Sequence, residues 1–242
     1  MDEEETFEQL FKTDGNMEIM GYYIRPILPT PDRDPSEASP TEIIEKVIGR
    51  DKLYGLIGES RTKPAIYWEG GDDYQDIFKR FMEEGLGMEG ILRRSLRKGE
   101  DEVLHQPLRL VRFLRNNANL GPKKAHPHPD SVSIFRVFGG DVGYENGMFR
   151  IYPCSHSLQT KEEVLRTCRP TEVRLAADQV LIVLGSVWVE LSTNGGGLVM
   201  WKGCSTGIVG THNFGEHFLP FLKIHEGNAD DEALKGESSV LV

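Results

Sequence analysis

The stretch Leu175-Ala-Ala-Asp-Gln-Val-Leu-Ile-Val-Leu-Gly-Ser-Val-Trp-Val-Glu-Leu-Ser-Thr-Asn194 decides the fold of this chain. Its apolar residues fall into two short runs, Val180 to Leu184 and Val187 to Leu191, parted by Gly185-Ser186. Short runs of β-branched and aliphatic residues between turn formers read as strands, because a helix needs a longer periodic segment. The same pattern recurs on both sides. Val132 to Phe138, Phe149 to Tyr152, Glu172 to Leu175 and Leu198 to Trp201 are further candidate strands, and Ser205 to Gly210 and Phe218 to Ile224 add two more. Many short strands at this spacing predict a sandwich or a barrel.

Working outward, the first half reads as helix and loop. Glu3 to Lys12 spaces Phe7, Leu10 and Phe11 as one helical face, and Lys12-Thr-Asp-Gly15 reads as its stop. Pro26 to Pro40 is rich in proline and acidic residues and reads as a surface loop. Thr41 is the expected N-cap of a helix over Glu42 to Ile48. Asp73 to Leu86 sets Tyr74, Ile77, Phe78 and Phe81 on one stripe, the pattern of an amphipathic helix. Ile91 to Arg97 is a short basic helix whose charges read as a solvated face. The expected organisation is one domain over residues 1–227. Its helical half is 1–120 and its β-rich half 125–227, and residues 228–242 form a polar tail.

Composition narrows the function. The 242 residues carry 28 Lys and Arg against 38 Asp and Glu, a formal net charge of −10. That balance argues against a nucleic-acid partner, which needs surplus cations to displace counterions from phosphates. No apolar run is long enough to cross a bilayer, so no membrane partner is expected. The start Met-Asp-Glu-Glu-Glu is the opposite of a basic secretory leader, and Cys154, Cys168 and Cys204 form no CxxC pair. Both features predict a cytoplasmic location with free thiols.

Two segments could carry chemistry. Lys123-Lys-Ala-His-Pro-His-Pro-Asp130 ends in an H-x-D pair just ahead of a strand. In extended backbone, residues i and i+2 point to one side. His128 and Asp130 so placed could take two adjacent positions on Fe(II), with a distant His completing a facial triad. The second segment is Tyr144-Glu-Asn-Gly-Met-Phe-Arg-Ile-Tyr-Pro-Cys-Ser-His-Ser-Leu158. There Asn146-Gly147 reads as a hairpin turn, Pro153 ends a strand, and His156 organises a turn. Gly139-Gly140 and Gly195-Gly196-Gly197 lack the G-K-[ST] of a phosphate loop, and Gly185-Ser186 lacks the G-x-S-x-G of a nucleophile elbow. Trp188 and Trp201 on core strands read as packing.

The run Glu145-Asn-Gly-Met-Phe-Arg-Ile-Tyr-Pro-Cys-Ser-His156 resembles the NG–strand–PGSH run of the phytanoyl-CoA dioxygenase-like family. Phe11 to Gly15 is similar to the Asp-Gly that ends the family's first helix. Leu175 to Asn194 is similar to its segment with an apolar strand, a His and an Asn. The resemblance covers about half of the chain, mostly Ala125 to Gly207. It implies a double-stranded β-helix (a cupin-like jelly roll) and Fe(II)- and 2-oxoglutarate-dependent oxygenase chemistry, often in fungal natural-product biosynthesis.

Against that family the chain shows three departures. Val189 stands where the distal iron-binding His is expected. Lys202 is the only candidate for the basic residue that pairs with 2-oxoglutarate, and Lys offers a point charge in place of a bidentate fork. Ser131 follows Asp130 and a strand starts at once, where the family has a long stretch lining the site. Glu190, His212 and His217 are the candidate replacements for the missing ligand, although Glu190 should point to the opposite face from Val189.

These departures lead to an expectation of a non-catalytic, accessory homologue. It binds no cofactor and pairs with an active oxygenase of the same family as a heterodimer, or with itself as a homodimer. Two other readings stay open. One is an active dioxygenase with an atypical third ligand, binding Fe(II) and 2-oxoglutarate, with His128 and Asp130 on the metal and Lys202 on the co-substrate. The other is a metal-free isomerase or cyclase acting on a small apolar molecule such as a terpenoid or polyketide, with acid and base groups among His126, His128, Asp130, Tyr152 and Glu190.

Overall fold

The computed structural model describes residues 17–28, 38–54, 59, 60, 65–69, 72–116, 121–126, 128–206 and 221–224. The predicted helix over residues 3–12, residues 207–210 of the strand predicted from Ser205 to Gly210, the tail and most of the Pro-rich loop lie outside them, as do His212 and His217.

Two β-sheets face each other. The small sheet contains β7 (Lys123–Lys124), β9 (Arg150–Tyr152), β10 (Thr171–Glu172) and β12 (Trp188–Glu190), in the order β10-β9-β12-β7. The large sheet runs β1 (Tyr22–Pro26), β11 (Gln179–Leu184), β8 (Ser131–Val137), β13 (Leu198–Ser205), β5 (Arg109–Phe113), β3 (Ala65–Glu69), β14 (Phe221–Ile224). A short strand, β4 (Leu104–His105), pairs with one end of β13. All pairings in these two sheets are antiparallel except β14 with β3. A third pair, β2 (Glu59–Ser60) with β6 (Arg115–Asn116), is parallel.

Alternation along each strand divides the core in two. On β8, β11 and β13 one set of side chains (Phe135, Leu181, Val183, Val199, Trp201) turns inward. There it meets Phe149, Ile151, Val187 and Val189 of the small sheet and its flanks. The alternate set (Val132, Ile134, Val180, Ile182, Leu198, Met200) turns outward onto helices. Those are α2 (Pro40–Ile48), α4 (Asp72–Glu83) and α5 (Met88–Leu96), following α1 (Met17–Met20) and with α3 (Arg50–Tyr54) between the first two. Their buried stripes, such as Ile44 and Ile48, Phe78 and Met82, and Ile91 and Leu92, fill that second core. Burying a side chain of this size stabilises by about 1.5–3 kcal/mol, so these stripes fix the helices onto the sheet.

The N-terminal half differs from the sequence reading in one respect. It contributes four strands of the large sheet (β1, β3, β4 and β5) besides helices. Every residue of Arg109–Phe113 is buried, with cover on both faces. Such a strand shows no alternation of polar and apolar residues, so its period is hidden. The cap of α2 is Ser39, two residues before Thr41. Its hydroxyl accepts from the Glu42 amide, and the Glu42 carboxylate accepts from the Ser39 amide. Asn146-Gly147 closes a short 3-10 turn over Tyr144–Asn146 instead of a two-residue hairpin, and the Asn146 side chain accepts from the Gly143 amide. A helix absent from the sequence reading, α6 (Lys161–Thr167), starts at Thr160, whose hydroxyl caps Glu163. Its Thr-Lys-Glu-Glu start was a legible capping box.

Candidate functional site at the barrel mouth

Backbone bonds bring the H-x-D turn to one end of the space between the sheets. The Ala125 amide donates to the Val187 carbonyl (2.6 Å) and the His126 amide to the Gly185 carbonyl (2.8 Å), so β7 leads directly past the turn between β11 and β12. The turn is then tied internally. The His128 amide donates to Nδ1 of His126 at 2.9 Å, and the Ser131 hydroxyl donates to the His128 carbonyl at 2.7 Å. The Asp130 carbonyl accepts from the Thr206 amide at 3.1 Å. His126 is buried, His128 half-buried, and Asp130 exposed.

The inward rows at this end are polar and small. Ser131 pairs with Ser205, and Ser133 with Gly203, across β8 and β13. By alternation all four share the inward face with Trp201 and Phe135. Ser131 and Ser205 are completely enclosed. The Ser205 hydroxyl and Nδ1 of His128 are buried and have no hydrogen-bond partner among the described residues. A buried polar atom left in that state costs about 1–3 kcal/mol.

Two cations also lie on inward rows. Lys123 is the register partner of Val189 and shares its inward face. Burial alone pushes its ammonium down to about 8. Arg109 of β5 is buried with its guanidinium 4.7 Å from the Tyr67 ring and 5.4 Å from the Trp201 ring. Neither was singled out in the sequence. The signal for Lys123 was its spacing, two residues before Ala125 on a strand whose inward face Ala125 occupies.

The other residues read from the sequence fall elsewhere. Val189 is fully buried in the core between the sheets. Lys202 lies on the outward face of β13, where Nζ pairs with the Glu83 carboxylate of α4 at 2.6 Å and is nearly enclosed. It is therefore directed away from His128 and Asp130. Glu190 points away from Val189, as strand alternation requires, and accepts from the Tyr152 hydroxyl at 2.6 Å on the outer face of the small sheet. Burial, and then that carboxylate, raise the Tyr152 hydroxyl well above its usual range. His156 lies in the 3-10 turn Ser155–Ser157. The neighbouring Ser155 hydroxyl accepts from the Trp188 amide at 2.9 Å, and the Leu158 carbonyl accepts from the Trp188 indole at 3.1 Å. The Pro153-to-Leu158 turn thus anchors β12 from outside.

A two-His-one-carboxylate iron centre needs three donors. His128 and Asp130 supply two donors, and Val189 fills the place expected for the third. Among the described residues no three His, Cys, Asp or Glu side chains stand close enough to hold a metal ion. Lys202, committed to Glu83, does not offer a cation to a co-substrate inside the barrel. Among the described residues no helix is long and apolar enough to cross a membrane.

Compared by sequence, the chain matches no protein-family model and no curated protein. Compared by structure, it is similar to SnoN, a non-heme α-ketoglutarate-dependent epimerase from nogalamycin biosynthesis. The TM-score is 0.58 at 13% identity, over 86% of this chain and 89% of that one. It is similar to HygX from Streptomyces hygroscopicus, solved with nickel, 2-oxoglutarate and hygromycin B, with a TM-score of 0.53 at 11% identity over 86% and 87% of the two chains. It is also similar to SnoK, a non-heme α-ketoglutarate-dependent carbocyclase from nogalamycin biosynthesis, with a TM-score of 0.50 at 12% identity over 81% and 86%. The two facing sheets with helices on the outer side of the larger one are the double-stranded β-helix fold of the non-heme, 2-oxoglutarate-dependent oxygenases.

Proposed function

We propose that this chain is an enzyme of natural-product type. It rearranges a small, largely apolar molecule at the mouth of its barrel by proton transfer, as an isomerase or cyclase without the three-donor iron centre. One observation carries the reading. At the same end of the barrel, the Ser205 hydroxyl and Nδ1 of His128 are buried with no hydrogen-bond partner among the described residues. Polar atoms in that state call for a partner, which an ordered water or a ligand supplies. His128 can then accept or return a proton. Phe135, Trp201 and Val189 are packed core beneath it, so a ligand at the mouth would rest on an apolar floor. SnoN and SnoK, an epimerase and a carbocyclase, lend the class of reaction by analogy of fold, although both are α-ketoglutarate dependent.

A second reading is a non-catalytic partner subunit of an active oxygenase, as a heterodimer or a homodimer. Val189 in the third-ligand place and the Lys202–Glu83 pair favour it.

The test begins with protein purified anaerobically with added Fe(II), its metal read by elemental analysis. The same sample is then incubated in D2O with a panel of cyclic and aryl ketones, with and without chelator. Deuterium wash-in that survives the chelator and disappears in His128→Ala supports the enzyme. About one iron per chain, lost in His128→Ala, together with succinate formed from 2-oxoglutarate, overturns it in favour of a dioxygenase. Neither wash-in nor iron, with a gain of activity only on mixing with an active homologue, overturns it in favour of the partner subunit.

A further inference from the structure

We infer that Cys154 and Cys168 are a redox pair that closes to a disulfide under oxidation and clamps the end of α6 to the small sheet. The inference goes beyond the enzyme reading above and does not rest on it. Its basis is strand register. β9 and β10 pair antiparallel, with Ile151 opposite Thr171 and Arg150 opposite Glu172. Carried three residues past Ile151 and Thr171, the same register sets Cys154 opposite Cys168. Directly opposed residues lie about 4.5–5.5 Å apart at Cα, within the roughly 4.4–6.8 Å that a disulfide spans.

The local structure supports that pairing. Cys168 ends α6 in extended backbone, φ −110 and ψ 148, so the approach to β10 is already strand-like there. Arg150 and Glu172 pair on the outer face of the small sheet at 2.8 Å, and alternation returns Cys154 and Cys168 to that face. Cys168 packs there against Tyr152, Val164 and Trp188. Its thiol is raised first by burial and then by the charge of Cys154, an effect that requires the two groups to be neighbours. Cys154 turns off the strand at φ 62, with its amide donating to the Met20 carbonyl at 3.2 Å. Its exposed thiol donates to the Met20 sulfur at 3.8 Å, a contact weak enough to exchange for an S–S bond. That bond ties α6 to the turn whose Ser155 and Leu158 hold Trp188 of β12.

The oxidant is a small-molecule disulfide such as oxidised glutathione. The exposed Cys154 thiolate attacks one of its sulfurs, the S–S bond breaks, and one glutathione thiolate leaves. The Cys168 thiolate then attacks the Cys154 sulfur of the mixed disulfide and expels the second glutathione. The two protein thiols give up two electrons and two protons, and glutathione disulfide takes up both.

The test uses the whole chain, reduced, desalted and incubated with oxidised glutathione. Remaining thiols are blocked with iodoacetamide before trypsin digestion and mass spectrometry. Lys161 and Arg166 lie between the two cysteines, so trypsin separates them unless they are linked. The expected product is one peptide pair joined Cys154 to Cys168, two hydrogens lighter than its separate halves, and parted again by dithiothreitol. Buried Cys204 reports on the fold and should stay unlabelled until denaturation. Cys168→Ser should stop at the glutathione adduct on Cys154. A wild-type adduct on Cys154 with Cys168 still taking iodoacetamide overturns the inference. A link found only in protein whose Cys204 is also labelled overturns it too, since pairing in an unfolded chain then accounts for the product. So does a link between two chains, seen as a dimer on a non-reducing gel.

Discussion

Lys123 and Val189 are register partners across β7 and β12, and both turn inward. The place expected to hold a metal-binding imidazole is thus occupied by an isopropyl group, with a cation beside it. Neither side chain favours a divalent ion there. Valine offers no donor, and an ammonium repels the metal's charge.

Restoring the donor tests this account. Val189→His puts an imidazole on the inward face, and Lys123→Met removes the competing cation while keeping a linear apolar stem. The double variant should take up about one Co(II) per chain, with a visible absorption band that the wild type lacks. Removing His128 from that background should abolish it, because the site would again hold only two donors. Equal Co(II) uptake by the wild type and the double variant would show that position 189 is not what the site lacks.

Lys123 should also leave a mark on stability against pH. Its folded-state value, about 8, lies below its unfolded value near 10.5. Between these values the unfolded chain binds the extra proton, so stability rises with pH across that window. Below about pH 8 the half-buried ammonium is a cost of order 1–3 kcal/mol. Lys123→Met should stabilise the protein near neutral pH by an amount in that range and flatten the rise. Urea unfolding at several pH values reads both effects. A flat wild-type profile would mean that Lys123 is well solvated.

Much of the fold was legible because both cores are built on short alternating strands. Val180 to Leu184 and Val187 to Leu191 announced β11 and β12, and the stripe of Ile77, Phe78 and Phe81 announced α4. What stayed hidden were the strands buried on both faces, β5 above all, since a run such as Arg109-Leu-Val-Arg-Phe113 carries no period to read. The site divided the same way. The turn at His128 and Asp130 was visible as a pattern, and the outward direction of Glu190 followed from alternation. Lys202 follows the same rule, since it is flanked by inward Trp201 and Gly203, yet its pairing with Glu83 depends on a residue 119 positions away. Ser205 gave no signal, because its meaning lies in what surrounds it in space.

The three cysteines should differ widely in reactivity. Cys154 is exposed and sits at φ 62, in the left-handed region that side chains other than glycine seldom adopt. Burial pushes the Cys204 thiol up to about 12, and burial also raises that of Cys168. The thiolate is the reactive form. Iodoacetamide at mildly alkaline pH should therefore modify Cys154 first, Cys168 more slowly, and Cys204 only after denaturation, as followed by mass spectrometry. Modification of Cys204 in the native protein would show that β13 opens near the barrel mouth.

Gly185 holds the mouth together by having no side chain. A Cβ built there would lie 2.0 Å from the Ser131 hydroxyl, 2.6 Å from the His128 carbonyl and 3.0 Å from Cβ of His126. The hydroxyl can rotate away, but it would lose its bond to the His128 carbonyl. The carbonyl can move only with the whole turn. Two backbone bonds pin that turn: the His126 amide to the Gly185 carbonyl and the Gly185 amide to the Ser131 carbonyl. Gly185→Ala should cost about 1–3 kcal/mol, the range for overpacking, and displace His128 from its place beside Ser131. Gly140→Ala is the control, since nothing lies within 4 Å of a Cβ there. Denaturant unfolding of the two variants, with the His128 imidazole shift read by NMR, checks both halves of the expectation. A Gly185→Ala protein as stable as Gly140→Ala, with an unmoved His128 signal, would mean that the turn is not packed against β11 as described, and the case for a built site at this mouth would fall with it.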